Sequence, residues 1–119
     1  MSPLVSVIIP CRNEEKTIHR VLDALHHQTF PLEEMEVVIA DGFSTDNTRS
    51  SIQNFSQTHP ELKVRLVDNP KQIIPAGLNT AIKAAIGEII VRMDAHSLPE
   101  SDYVQRSVAA LQAGRNPIP

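Results

Sequence analysis

The sequence predicts an α/β fold, an open and mainly parallel sheet flanked by helices on both faces. Three observations carry that expectation. Four short apolar runs rich in β-branched residues alternate with four segments of helical period. The runs near positions 4 and 36 are almost continuously apolar, as strands buried on both faces are. The chain has 119 residues, 41% hydrophobic and 21% charged, which is the size and balance of one small domain.

The elements follow in order. Leu4-Val-Ser-Val-Ile-Ile9 reads as a strand stopped by Pro10, which has no N–H for a central ladder. A helix is expected over positions 15–29, with Ile18, Val21, Leu22 and Leu25 on one apolar face. Asn13 is its expected cap, with Glu14 and Glu15 in the first turn. Positions 36–41 form a second strand. A second helix over 46–58 has Ile52 and Phe55 inward and Asp46 accepting a backbone N–H at its start. Lys63 to Asp68 alternates polar and apolar, as a half-buried strand near an edge does. A third helix is expected from Pro75 to Ile86, ended by Gly87, and a fourth strand from Glu88 to Asp94. The last helix is expected over 99–113, with Val104, Val108 and Leu111 inward and Gly114 as its stop.

Parallel strands joined by right-handed crossovers bring their carboxyl ends to one rim, where open α/β sheets bind ligands. That rim carries positions 10–15, 41–46, 68–71 and 94–96. Asp41 closes a buried strand, where a carboxylate needs a partner. The partner is either a donor-bearing ligand, such as a uracil imide or a ribose hydroxyl, or the N–H groups of its own turn. Asp94 and His96 are two apart, so an extended stretch puts both on one face. A carboxylate and an imidazole there suit a divalent cation of the Mn²⁺ type, with a diphosphate filling other positions. Lys71 and Asn79 offer donors to ribose or phosphate, and Gly77 permits close approach of a helix to a ligand. Solvated loops and packed side chains are the alternative for each of these.

Several classes are excluded. No glycine precedes Gly42, so the glycine-rich turns of dinucleotide and P-loop sites are missing after the first strand. The formal charge of −3 and an aromatic content of 3% argue against a nucleic-acid partner. No apolar stretch reaches the roughly 18 residues of a membrane span. The single Cys11 fits a reducing compartment, and a cytoplasmic location is expected. A phosphoryl-accepting receiver would need carboxylates after the first strand, where Pro10-Cys11-Arg12 stands.

Three segments together resemble family 2 glycosyltransferases: Val5 to Glu15, Val38 to Thr48, and Pro75-Ala-Gly-Leu-Asn-Thr-Ala81 through Gly87 to His96. The Asp-Ala-His-Ser ending resembles the branch that includes succinoglycan-type exopolysaccharide enzymes. The resemblance implies a Rossmann-like GT-A fold and inverting transfer from a nucleotide-sugar, a UDP-sugar by expectation, to a saccharide or lipid-linked acceptor. It implies that Pro10, Arg12, Glu14, Asp41, Gly77, Asn79 and Asp94 bind the nucleotide-sugar. Asp94 and His96 would hold Mn²⁺ or Mg²⁺, with His96 in place of the family's second carboxylate. The family's general base lies well after the Asp-x-Asp segment, so no catalytic residue is assigned within the chain and the base is expected beyond Pro119. Positions 1–119 are then one donor-binding domain, inactive without an acceptor half. The whole protein would work in the cytoplasm or at the inner face of the membrane. Self-association through an exposed strand or a bare apolar surface is expected. The rival reading is a nucleotide-binding or regulatory module without chemistry.

Overall fold

The computed structural model describes residues 3–115, and the element order is β-α-β-α-β-α-β-α. Pro119, the position beyond which the general base is expected, lies outside the described residues. The strands are β1 (Val5–Cys11), β2 (Met35–Asp41), β3 (Lys63–Asp68) and β4 (Ile89–Arg92). The helices are α1 (Ile18–His26), α2 (Thr48–Thr58), α3 (Ile74–Ala84) and α4 (Tyr103–Arg115), with a 3-10 turn at Leu32–Glu34. All strands are parallel, in the order β3-β2-β1-β4. The crossovers put every strand's carboxyl end on one rim, as expected.

Alternation along β1 and β2 sorts the core into two layers. Val5, Val7, Ile9 and Cys11, with Met35, Val37 and Ile39, face α1, α2 and α4. Ile18, Val21, Leu22 and Leu25 of α1 pack there, with Ile52 and Phe55 of α2 and Val104 and Val108 of α4. Ile8, Val38 and Ala40 face the other way, against Ala81 of α3. Helices thus cover both faces. β3 is the half-buried edge strand that its alternation predicts.

Pro10 does not stop β1, which continues through it to Cys11. The ladder with β4 ends at Ile8↔Arg92, and Pro10 shares the parity of Ile8, whose carbonyl accepts from Met93 on the β4 side. The missing N–H of Pro10 therefore faces past the end of β4 and costs no ladder bond. The helices also begin and end elsewhere than expected. α1 starts three residues late because Asn13 has a positive φ of 55° and the Glu14 carbonyl first closes a turn onto Thr17 and Ile18. α3 ends at Ala84, ahead of Gly87, and Gly87 lies instead in a tight contact. A Cβ there would stand 2.7 Å from the Ser6 nitrogen, so the α3–β4 connection needs glycine for close approach. α4 starts at Tyr103 rather than Pro99, because Gln28 holds the segment before it. Its amide donates to the Glu100 carbonyl at 2.8 Å and its Oε1 accepts the Val104 N–H at 3.0 Å. α4 also runs through Gly114 to Arg115, and Leu111 is exposed rather than inward.

The α3–β4 connection is fixed by a buried polar group that the sequence reading passed over. Glu36 is fully buried on the α3 side of β2. Its carboxylate accepts from Ser6 Oγ at 2.6 Å, the Ile86 N–H at 2.9 Å and Arg65 Nε at 2.9 Å. The Gly87 N–H completes the set by donating to Ser6 Oγ at 2.8 Å. Burial pushes the Glu36 carboxyl up, but the Ile86 amide, Ser6 and Arg65 together hold it below the usual glutamate value.

Candidate functional site

The rim is built from loops that bond to one another. The Asn13 N–H donates to Ser44 Oγ at 2.8 Å, and Asn13 Oδ1 accepts the Thr45 N–H at 2.7 Å. Asn13 is therefore not the cap of α1, as expected, but a cross-link between the loops after β1 and β2. The Glu14 N–H donates to Thr48 Oγ1 at 2.8 Å, and the Asn47 N–H donates to Glu15 Oε2 at 3.2 Å. Asp46 accepts the Thr48 N–H at 2.9 Å, the bond expected of it, but from outside the helix: α2 starts at Thr48 and not at Asp46, with Asn47 at its N-cap position. Arg12 Nε donates to the Gly42 carbonyl at 2.9 Å, which lays an otherwise exposed side chain along the same seam.

Asp41 closes β2 fully buried, and its partners are internal. Oδ2 accepts the Ser44 N–H at 3.0 Å and Arg49 Nη1 at 2.9 Å. Oδ1 accepts Ser44 Oγ at 2.5 Å and the Cys11 thiol at 3.6 Å. Its own turn, through Ser44, is one source of these bonds, and Arg49 and Cys11 supply the others. Burial pushes the Asp41 carboxyl up, and the Ser44 hydroxyl and amide, with Arg49 and Cys11, bring it below the usual aspartate value. Burial and the Asp41 charge push the Cys11 thiol far up, so it is no nucleophile.

Arg49 was not singled out in the sequence. It reaches Asp41 Oδ2 and, through Nη2, Asp68 Oδ1 at 2.8 Å, joining the ends of β2 and β3. A signal was there to be read. Arg49 is the second residue of α2, where a cation opposes the helix dipole unless carboxylates hold it.

At the other end of the rim, Asp94 and His96 are both exposed while Ala95 between them is buried. The expected extended stretch is not what produces this. β4 stops at Arg92, and the Ser97 N–H donates to the Asp94 carbonyl at 3.1 Å in a turn. His96 Nδ1 stands 3.3 Å from Glu14 Oε2, which brings the loops after β1 and β4 together. Asp94 also lines a cleft of about 420 Å³ with Arg92, Ser97 and Tyr103. Asn79 and Lys71 line a different cleft, of about 380 Å³, beside α3. Pro10 and Gly77 are buried against each other, a Cβ at Gly77 falling 3.0 Å from Pro10 Cβ. That contact is the close approach that Gly77 makes here.

Among the described residues no three carboxylate, imidazole or thiol groups converge on one point. Asp94 and His96 are both exposed on the loop after β4, and carboxylate oxygen and imidazole nitrogen are donor types that Mn²⁺ accepts. No helix among the described residues is long and apolar enough to cross a membrane.

The family model for glycosyl transferase family 2 matches residues 6–118. The chain belongs to glycosyl transferase family 2. Its fold is the GT-A type, an open parallel sheet covered on both faces. The solved mannosyltransferase PcManGT from Pyrobaculum calidifontis, in complex with GDP-Man and Mn²⁺, superposes with a TM-score of 0.88. It is 37% identical, over 98% of this chain and 34% of that one. TarS of S. aureus, residues 1–349 in complex with UDP, superposes with a TM-score of 0.78 at 28% identity, over 95% of this chain and 32% of that one. Succinoglycan biosynthesis protein ExoA of Rhizobium meliloti is 36% identical over 115 residues, 94% of this chain and 34% of that protein. This family 2 chain thus spans about a third of the length of the relatives it matches.

Proposed function

We propose that the chain is the nucleotide-sugar-binding part of an inverting glycosyltransferase that passes a sugar from a nucleoside diphosphate to a saccharide or lipid-linked acceptor. The observation that carries this reading is the meeting of Glu14 with His96 at the rim, 3.3 Å apart, beside exposed Asp94. It joins two of the three resembling segments at one place. Family membership and the nucleotide-bound relatives support the same reading.

Each rim residue then has a task. Arg12, laid on the Gly42 carbonyl, and Glu14 border the nucleotide. Asp41 and Arg49 fix the turn at 42–45 against which the base rests, and a direct contact from Asp41 to the base displaces the Ser44 hydroxyl. Pro10 and Gly77 set the floor by packing on each other. Asn79 faces the donor from the α3 side, and Lys71 shares its cleft. Asp94 and His96 would hold a divalent cation, Mn²⁺ or Mg²⁺, which when bound neutralises charge on the departing diphosphate. The base that takes the acceptor's proton is none of these residues and belongs beyond Pro119, so with the described residues alone the chain binds donor without turning it over. We place the whole protein in the cytoplasm or at the inner face of the membrane, with exopolysaccharide assembly as its pathway class.

Calorimetry tests this directly. UDP or GDP is expected to bind, more tightly with Mn²⁺ than with EDTA, and the preferred base identifies the donor class. Asp94→Asn should lower the Mn²⁺-dependent part by at least tenfold. Absence of binding by either nucleotide, with or without metal, would refute the donor-site reading. Sugar transfer catalysed by the 119-residue chain would refute the assignment of the base elsewhere.

A further inference from the structure

We propose that Glu14 is a positioning residue for His96: its carboxylate, 3.3 Å from Nδ1, favours the proton on that nitrogen and leaves Nε2 as the nitrogen that faces a cation. The proposal rests on the donor-site reading above and assigns Glu14 a second task within it.

The geometry begins with how firmly Glu14 is held. Its N–H donates to Thr48 Oγ1 at 2.8 Å, and its carbonyl accepts from Thr17 at 3.1 Å and Ile18 at 2.9 Å. Its Oε2 also accepts Thr17 Oγ1 at 3.2 Å. The starts of α1 and α2 therefore fix both the backbone and the carboxylate of this residue. The same Oε2 lies 3.3 Å from Nδ1 of His96. Glu14's side chain is only 23% exposed, whereas that of His96 is 63% exposed. The contact thus pairs an anchored carboxylate with a ring whose other side is open to solvent.

Chemistry supplies the rest. A neutral imidazole carries its proton on one nitrogen and a lone pair on the other, and the partner of one nitrogen decides which. A carboxylate can only accept, so a glutamate at Nδ1 selects the Nδ1–H form. That is the minor form of a free histidine side chain, and its stabilisation here needs a cause. It also fixes the ring plane, as carboxylates do behind metal-bound histidines. His96 stands where the resembling family has a second carboxylate, and the neutral ring brings one negative charge fewer. Glu14 restores that charge from behind the imidazole instead of from beside it.

The test has a spectroscopic arm and a binding arm, both on the 119-residue chain. Long-range ¹H–¹⁵N spectra of metal-free protein at pH 8, above the ordinary imidazole range, should show His96 as the Nδ1–H tautomer. Glu14→Gln should return it to the Nε2–H form, because an amide can donate to Nδ1. The same substitution should weaken Mn²⁺, read by paramagnetic relaxation with the nucleotide present, by about tenfold. Thr17→Val, which removes the hydroxyl on Glu14, should give an intermediate effect in both arms. An Nε2–H tautomer in the wild type with normal Mn²⁺ binding would overturn the role of Glu14 and leave the donor site standing. An Nδ1–H tautomer that persists in Glu14→Gln would likewise overturn it. Failure of wild-type protein to bind Mn²⁺ with any nucleotide would sink the metal reading and this proposal together.

Discussion

Arg49 and Asp41 show how much one pair can matter and how little another can. Asp41 is fully buried and Arg49 35% exposed, so water reaches their ion pair from one side only, whereas Asp68 at the other end of Arg49 is 59% exposed. Breaking a buried pair by removing one partner costs about 3–5 kcal/mol, and an exposed pair about 0–1. Arg49→Met should therefore cost about 3 kcal/mol, the low end because both Ser44 bonds to Asp41 remain. Asp68→Asn should cost less than about 1 kcal/mol. Urea unfolding at pH 7 separates the two, and equal effects would contradict the burial argument. At this scale the sequence was a fair guide to which residues reach the rim but not to whom they bond. Asp46 and the open choice at Asp41 could be read from turn chemistry. Arg49 was legible only as a first-turn cation in need of carboxylates; that Asp41 and Asp68 both hold it depends on β2 and β3 lying side by side.

Among the elements, the strands were legible to within two residues at each end, and the helices less closely. β-branched runs announce themselves, and the polar alternation of Lys63 to Asp68 located an edge. Helix ends depend on partners distant in sequence. Gln28 sets the start of α4, and the seam at Asn13 delays α1. Pro10 misled because the rule against proline concerns a paired N–H, and pairing to β4 had already ended. The Glu36 network sits at this level too, since it ties β1, β2, β3 and the α3–β4 connection. Its carboxyl titrates below the usual glutamate value near 4.3 in the folded protein. The stability it contributes is thus whole above about pH 4.3 and is lost as pH falls through the lower folded value. Glu36→Gln should remove that component: its unfolding free energy should fall less steeply than the wild type's between about pH 4.5 and 3. Parallel curves would show that Glu36 does not report on acid unfolding.

For the whole molecule, the open side of β4 is the conspicuous surface. β4 is an edge strand of four residues, and the α3 side near it carries exposed Ile82, Ile86 and Ile90. Unpaired strand edges with apolar neighbours associate. The 119-residue chain should sediment as a concentration-dependent mixture of monomer and larger species, and Ile90→Lys should shift it to monomer. A single monomeric boundary across a hundredfold range of concentration would contradict this.

The seam between the loops after β1 and β2 has a consequence for how such sites can vary. Residues 13–15 and 44–48 exchange backbone-to-side-chain bonds in both directions, so each loop takes part of its shape from the other. A loop transplanted from a relative to alter the nucleotide preference would arrive without the half that shapes it. The heritable module is the two loops together, and drift at one position ought to leave a matching trace in the other.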